Sequence, residues 1–207
     1  MSAESIRLFT RQNEKTLLML EKEDRIINRR LYVQLHFGDM APHYMQCYDW
    51  FSQQAALRVP RPVGVSLPIW CALKPDTCLT PLPGTVVYIL DVPREQVVFY
   101  DDGKWDYVLN HRYLPASAQD EQAYIQRLQT LGLNSSYEFF EGRYAGKFPD
   151  EIRRITDSWQ RVFDVPDLSA DSVCGNIWEI RRESLAAIVR PGQDVFAAAQ
   201  AAPAPGR

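Results

Sequence analysis

The densest group of polar and aromatic side chains is the run YDDGKWDYVLN, residues 100–110. Loops and short helices that follow strands often carry functional residues. Trp105 is therefore a candidate stacking surface, and Asp102 and Asn110 are candidates to hold ribose or amide groups. The alternative is that Asp102 caps a short helix and Trp105 anchors that helix in the core.

A second group of polar side chains ends the first apolar segment. Thr10, Arg11 and Gln12 bring a hydroxyl, a guanidinium and an amide together within three residues. Such groups orient a nucleotide by hydrogen bonding, which makes Thr10 a candidate binding residue and Gln12 a candidate catalytic residue. The alternative for Thr10 is an N-terminal cap of the next helix. Trp70, in a later apolar segment, is another candidate stacking surface.

A carboxylate inside an apolar segment is the third chemical feature. The segment VCGNIWEIR, residues 173–181, contains Asn176 and, three residues later, Glu179. A carboxylate on a strand stabilises an oxocarbenium-like transition state or acts as a general base, so Glu179 is a candidate catalytic residue. Its alternative role is an ion pair with Arg181 or Arg182.

Familiar catalytic and metal-binding motifs do not occur in the sequence. It has no Gly-rich phosphate loop, no G-x-G-x-x-G, no G-x-S-x-G and no H-E-x-x-H. The three histidines lack metal-ligand spacing, and Cys71 and Cys78 are seven residues apart, so we expect no metal. The four scattered cysteines are interpreted as reduced, buried residues.

The elements that must position these residues follow from hydrophobic patterning, which predicts an α+β fold with a split mixed or antiparallel β-sheet core. Strands are predicted over four apolar segments: 6–10, 67–73, 85–92 and 96–100. The last two are close together and are expected to form a hairpin, although a parallel arrangement is not excluded. Residues 173–181 and 185–189 are expected to form a closing pair of strands.

Helices are predicted by apolar residues at helical spacing over three segments: 42–57, 118–131 and 150–163. The last two form a helical insert between strands. A further helix carrying Leu17, Leu18 and Leu20 follows the first strand. Residues 1–192 are expected to form a single domain, and the Ala- and Pro-rich segment 193–207 is predicted to be a disordered tail.

Composition excludes some classes of protein. The formal net charge is −3, with 23 basic and 26 acidic residues, which excludes a generally basic protein that coats nucleic acid but leaves room for a local basic groove. No apolar run approaches the roughly 18 residues that span a bilayer, and the N-terminus lacks a secretory signal. We therefore expect no membrane partner and a cytoplasmic location.

Six short landmarks resemble a bacterial domain family of unknown function: IRLFTRQ, YDWF, LPIW, VPREQVVFYDDGKWDYVLN, SWQRVFD and NIWEIR. Together they cover roughly residues 6–190. The order of elements also resembles, more distantly, the ADP-ribosyltransferase superfamily, especially toxins that modify nucleic acid. The shared order is a strand followed at once by a helix, a central strand pair, a helical insert and a closing strand pair.

The distant resemblance implies an ADP-ribosyltransferase-like fold and an enzyme that uses NAD as co-substrate, with a nucleic acid or a protein as acceptor. The implied roles are nicotinamide positioning by Thr10 and Gln12, stacking by Trp70 or Trp105, ribose or acceptor binding by Asp102 and Asn110, and charge stabilisation by Glu179. Asn176 aligns with the catalytic Glu of the superfamily, so either Asn176 or Glu179 occupies that place. The alternative function is a non-catalytic nucleotide- or partner-binding module of a bacterial toxin-antitoxin or defence system.

Overall fold

A computed structural model describes residues 4–203. Its strands are β1 (Ser5–Asn13), β2 (Arg25–Ile27), β3 (Ile69–Ala72), β4 (Thr85–Pro93), β5 (Val98–Asp101), β6 (Val173–Ile177), β7 (Glu179–Arg181) and β8 (Leu185–Val189). Its α-helices are α1 (Thr16–Glu23), α2 (Arg30–Phe37), α3 (Ala41–Ala56), α4 (Asp102–Leu109), α5 (Ala118–Thr130), α6 (Pro149–Ser158) and α7 (Val195–Ala201). None of the helices within residues 4–203 is long and apolar enough to cross a membrane.

The chain divides into two compact units. The first, which we call the sheet unit, runs to Phe99 and resumes at Ser169. The second, the helical unit, comprises Tyr100–Leu168. The predicted single domain over 1–192 thus contains two units, and the predicted helical insert falls within the second.

Six strands form one sheet, in which the strand order is β5-β6-β3-β1-β4-β8. The pairs β1–β3, β1–β4, β3–β6 and β4–β8 are antiparallel. β1 pairs with β4 along all of its nine residues, from Ser5 opposite Pro93 to Asn13 opposite Thr85. The first strand of the chain is therefore a central strand. This position buries both Leu8 and Phe9, which lie on opposite faces of the strand.

Each face of this sheet packs against different elements. One face carries Leu8, Cys71 and Tyr88, which cluster with Leu20 of α1 and with Ile26 of β2. The other face has its own cluster: Phe9, Ala72, Val87, Ile89 and Val189, with Val195 of α7. Because neighbouring residues of a strand point to opposite faces, the residues at the end of β1 also divide between the two faces.

A two-stranded sheet of β2 and β7 lies beside the first face, because Ile26 and its register partner Ile180 are both fully or almost fully buried in that cluster. The chain leaves the main sheet at Trp178, which is in neither β6 nor β7. The Trp178 indole donates a hydrogen bond to the Val59 carbonyl at 3.0 Å. This contact fixes the point where the chain passes from one sheet to the other.

The helical unit contains α4, α5 and α6. Asp101 caps α4 by accepting from the backbone N–H of Lys104 at 3.0 Å, and Ser117 caps α5 by accepting from that of Asp120. α6 ends in a 3-10 turn whose Trp159 indole donates to the Arg112 carbonyl at 2.7 Å. The predicted helices near 118–131 and 150–163 are confirmed.

Two predicted strand pairings are wrong. β4 and β5 are not neighbours, because β1, β3 and β6 lie between them in the sheet, so the 85–92 and 96–100 segments form no hairpin. A 3-10 turn over Arg94–Gln96 turns the chain away from β4 instead. Residues 173–181 and 185–189 do not pair with each other either: β6 pairs with β3, β7 with β2 and β8 with β4.

The segment predicted to be a disordered tail contains α7. Asp194 caps the helix by accepting from the N–H of Phe196 at 2.7 Å, and Val195 is buried. Arg7, paired bidentately with Asp91, donates to the Ala199 carbonyl at 3.2 Å. These contacts hold an Ala-rich helix that composition alone does not reveal, and residues 204–207 of the predicted tail lie outside the described chain.

Replacing Gly175 by alanine tests the packing of the central sheet. A Cβ at this position of β6 would lie 3.0 Å from Val97 Cγ1 and 3.2 Å from Leu8 Cδ2, so these buried side chains would have to move by a few tenths of an ångström. We expect Gly175→Ala to lower the free energy of unfolding by about 1–3 kcal/mol, measured by urea denaturation.

Gly103→Ala is the matched control, because Gly103 lies in α4 and its nearest contact is a carboxylate oxygen of Asp101 at 3.3 Å. Alanine in a helix is favoured over glycine by about 0.5–1 kcal/mol. An unchanged urea midpoint for Gly175→Ala would show that the sheet tolerates the extra methyl group.

Candidate functional site

A cavity in the sheet unit opens beyond the end of β1, and we call it the Gln12 cavity. Its volume is about 540 Å³. Five elements supply its walls, namely the end of β1, α1, β2, α2 and β3. The lining residues are Gln12, Asn13, Lys15, Thr16, Met19, Ile26, Ile27, Asn28, Tyr32, Leu35, His36 and Ile69.

A short chain of hydrogen bonds orients the Gln12 side chain. The Thr10 hydroxyl donates its one proton to the Trp70 carbonyl at 2.8 Å, and the Gln12 amide nitrogen lies 2.8 Å from the same hydroxyl. Because that proton is already used, Thr10 must accept from Gln12, and the Gln12 Nε2 must face Thr10. The Gln12 Oε1 and its second N–H therefore remain for another partner, since no other bond of this side chain occurs within residues 4–203.

The start of α1 is fixed by a second buried hydrogen-bond chain. The Thr16 hydroxyl donates to the Asn13 carbonyl at 2.6 Å and lies 2.9 Å from the Tyr88 hydroxyl. Tyr88 must then donate to Thr16, because the Thr16 proton is already used. Burial raises the pKa of Tyr88, which keeps this donor protonated. α1 is thereby held to the central strand β4 at the wall of the Gln12 cavity.

Glu179 lies on β7 with its carboxylate almost buried, since its side chain is 9% exposed. It accepts from Arg181 Nε at 2.6 Å and from Arg25 Nη1 at 3.4 Å. The predicted alternative, an ion pair with Arg181, is therefore present. Glu179 lines a second cavity of about 320 Å³, with Trp178 and two prolines of the 59–62 segment, which we call the Glu179 cavity.

Two pairs of neighbouring strands each contribute one residue of a register pair to the Gln12 cavity and its partner to the Glu179 cavity. Ile27 lines the Gln12 cavity, and its register partner on β7 is Glu179. Likewise Ile69 lines the Gln12 cavity, and its partner Ile177 lines the Glu179 cavity. Partners in an antiparallel pair have Cα atoms about 4.5–5.5 Å apart. Gln12 and Glu179 therefore line separate cavities whose walls share strand pairs.

Trp70 points away from the Gln12 cavity. It follows Ile69 on β3, so its side chain lies on the opposite face of the sheet. Its indole ring lies edge-on to Tyr48 and to Phe51 of α3, with centroid distances of 5.3 and 4.7 Å. Only its backbone carbonyl, which accepts from Thr10, belongs to the hydrogen-bond chain of Gln12.

The remaining predicted site residues belong to the helical unit. Trp105 is a buried residue of α4, as the core-anchor alternative predicts. Asp102 is the first residue of α4 rather than its cap, and burial, followed by the charges of Asp101 and Asp106, raises its pKa. The Asn110 amide donates to the Asp106 carbonyl oxygen at 2.8 Å, which ends the helix.

Sequence analysis did not single out Asn28, Tyr32 and His36, which line the Gln12 cavity. Tyr32 and His36 are four residues apart on α2, an eight-residue helix too short to give a clear periodic pattern. Asn28 is fixed by donating to the Pro68 carbonyl at 3.0 Å. The signal in the sequence was the i, i+4 spacing of two ring side chains. This spacing indicates a cavity wall only once α2 is known to lie beside the end of β1.

Three of the four cysteines are not activated nucleophiles. Burial raises the pKa of Cys47 to about 12 and that of Cys71 still further. Burial also raises the pKa of Cys78 to about 11, although the Arg11 charge opposes the shift. A thiol reacts through its thiolate, so these three side chains are inert near neutral pH.

Comparison with known families identifies the chain at the level of a family. The family described as "Domain of unknown function (DUF3841)" matches residues 7–186, and the chain belongs to it. The predicted resemblance to an uncharacterised domain family is thus confirmed. Neither the curated proteins nor the solved structures contain a match to this chain.

The alkylation rate of Cys78 tests its raised pKa. An ordinary thiol with a pKa near 8.5 stops gaining reactivity above about pH 9. We expect the rate of Cys78 alkylation by iodoacetamide to rise about tenfold per pH unit between pH 7.5 and 9.5 without a plateau. The rate is measured by mass spectrometry of the Cys78 peptide. The urea-unfolded chain is the control, because its Cys78 has an ordinary thiol pKa and its rate should reach a plateau near pH 9. A plateau at the same pH in the folded protein would contradict the raised pKa.

Proposed function

We propose that this protein is an NAD-dependent ADP-ribosyltransferase with an ADP-ribosyltransferase-like split sheet, acting in the cytoplasm on a nucleic acid or a protein. The observation that carries the proposal is the oriented Gln12 amide in the Gln12 cavity. Its Oε1 and its second N–H form a donor–acceptor pair that complements the carboxamide of nicotinamide. Two parts of the element order that resembles the superfamily, the opening strand followed at once by a helix and the helical insert, support the same function.

The size and surface of the Gln12 cavity support a ring-bearing ligand. A volume of about 540 Å³ falls within the 300–1,000 Å³ of ordinary ligand sites. Ile26, Ile27 and Ile69 provide apolar contacts for a planar ring, while Gln12 fixes its orientation. In this proposal Thr10 acts through Gln12 as a positioning residue.

The chemistry of transfer assigns a role to Glu179. The bond between C1′ of the ribose and nicotinamide breaks, nicotinamide leaves with the electron pair, and positive charge develops on the sugar. A nearby carboxylate stabilises that charge. The acceptor nucleophile then bonds to C1′ and releases its proton to solvent. Glu179 supplies the carboxylate in the proposal because its strand pairs with a wall of the Gln12 cavity, and the Glu179 cavity receives the acceptor.

The roles of the other predicted residues stay predictions. The Trp70 indole packs edge-on against α3 and not in the Gln12 cavity, so a stacking role for it requires a ligand on the opposite face of the sheet. Asp102, Trp105 and Asn110 belong to the helical unit. Ribose or acceptor binding by that unit remains part of the proposal.

A second candidate function is a non-catalytic nucleotide- or partner-binding module of a bacterial toxin-antitoxin or defence system. Both Glu179 oxygens have arginine partners, and Glu179 and Gln12 line different cavities. A carboxylate that is paired with two arginines in this way has a structural role and takes part in no reaction. In this alternative the Gln12 cavity binds its ligand and releases it unchanged.

Release of nicotinamide from NAD tests the catalytic role. We expect Glu179→Gln to reduce release by about 10²–10³-fold, because one electrostatic stabiliser of a transition state contributes that much. Glu23→Gln, an exposed glutamate of α1, is the matched control and should release nicotinamide at the wild-type rate. Thermal unfolding of each variant checks that it folds. Binding of NAD without release would favour the non-catalytic module.

Titration calorimetry with NAD tests the Gln12 cavity separately. Gln12→Met keeps the length of the side chain and removes both amide groups, so we expect about a tenfold weaker affinity. Gln34→Met, an exposed position of α2 outside the cavity lining, should bind as wild type does. Absence of NAD binding by the wild-type protein at millimolar concentration would overturn the proposal of NAD chemistry.

A further inference from the structure

The lining of the Gln12 cavity has an unusual charge. The chain has 26 acidic residues among 207 and a net charge of −3, yet none of the twelve lining residues is acidic. The lining contains two basic residues, Lys15 and His36, beside amides, hydroxyls and apolar groups. The cavity of an acidic protein therefore carries a positive charge, and this favours an anionic ligand.

Lys15 is placed to meet that ligand at the rim. It is exposed, in the turn between β1 and α1, and it has no ion-pair partner anywhere in the described part of the chain. Three arginines of the sheet unit, by contrast, pair with carboxylates: Arg7 with Asp91, Arg30 with Asp49 and Arg182 with Asp24. A lysine ammonium that is not held in an ion pair is a point charge available to a phosphate.

The distribution of groups along the cavity indicates where each part of the ligand lies. Lys15 is three residues beyond Gln12, a separation of at most about 11 Å along the chain. That separation is on the scale of a nucleoside monophosphate, from base to phosphate. The apolar walls and the amide near Gln12 suit a ring, and the cation at the rim suits a phosphate.

We propose that Lys15 binds a phosphate group, and that the Gln12 cavity takes phosphorylated nucleosides in preference to unphosphorylated ones. This inference rests on the proposed function for the identity of the ring, but not on any reaction at it. A long-chain carboxylate would also satisfy an apolar cavity with a cationic rim. The nucleotide is favoured because the Gln12 amide, oriented by Thr10, requires a polar partner inside the cavity.

The test measures the affinities of nicotinamide mononucleotide and nicotinamide riboside, which differ by one phosphate, by titration calorimetry. We expect the wild-type protein to bind the mononucleotide at least tenfold more tightly than the riboside. Lys15→Gln should weaken mononucleotide binding about tenfold and change riboside binding less than twofold. The dependence of mononucleotide affinity on salt should become shallower in this variant.

Lys22→Gln is the matched control, because Lys22 is exposed on the same helix α1 but does not line the cavity. It removes the same charge and should keep the wild-type preference. Titrations with inorganic phosphate and with decanoate separate the other ligand classes: phosphate competes weakly if the inference holds, and tight decanoate binding that depends on Lys15 overturns it. Equal affinity of the wild-type protein for mononucleotide and riboside also overturns it, as does an unchanged preference in Lys15→Gln.

The inference and the proposed function fail in different ways. If the mononucleotide binds through Lys15 but NAD is never cleaved, the phosphate site stands and the transferase proposal fails. If NAD is cleaved with a dependence on Glu179 but Lys15→Gln retains wild-type mononucleotide affinity, the transferase stands and the phosphate site fails. If neither nicotinamide ligand binds the wild-type protein at millimolar concentration, the phosphate site fails, and the transferase proposal fails with it only if NAD does not bind either.

Discussion

The position of β1 between β3 and β4 is the constraint on which the sheet unit depends. Nine consecutive register pairs hold β1 to β4, so a shift by one residue would exchange the two faces of the strand. Such a shift would exchange Leu8 and Phe9 between the two packed faces and would move Arg7 to the face that Leu8 now occupies. The ion pair of Arg7 with its register partner Asp91 adds a polar contact that only the observed register allows.

That register decides which chemical groups reach the Gln12 cavity. Alternation along β1 places Thr10 and Gln12 on one face and Arg11 on the other. Thr10 is buried and satisfied by the Trp70 carbonyl, so it gives the Gln12 amide a fixed acceptor at the cavity wall. Three adjacent polar residues thus have two different environments, and Gln12 is the one of the three that lines the cavity.

The transition at Trp178 has the corresponding effect at the end of the chain. In one continuous strand, Asn176 and Glu179 would lie on opposite faces of the same sheet. Instead β6 ends at Ile177, Trp178 is bonded to Val59, and Glu179 begins a strand that pairs with β2. Glu179 therefore lies beside a wall of the Gln12 cavity through Ile27, while Asn176 stays buried opposite Trp70 in the main sheet.

The sequence by itself determined the elements with strong periodic or β-branched patterns. Helices α3, α5 and α6 follow from apolar residues at helical spacing, and strands β3 and β4 follow from short continuous apolar runs. The short elements β2, α2 and α7 were not predicted, since a stretch of three to eight residues has too little periodicity to be distinguished from a loop. Trp105 as a core anchor and Glu179 as an ion-pair partner of Arg181 were both available as alternatives from residue type alone.

Only the tertiary structure decided which of these residues meet. Strand order depends on non-local burial, and neighbours in the chain need not be neighbours in the sheet, as β4 and β5 illustrate. Gln12 acquires a cavity because β2 and α2, from a region without a clear pattern, cover the end of β1. Lys15 acquires its significance in the same way: its charge is visible in the sequence, but the absence of acidic neighbours in the cavity lining is a property of the fold.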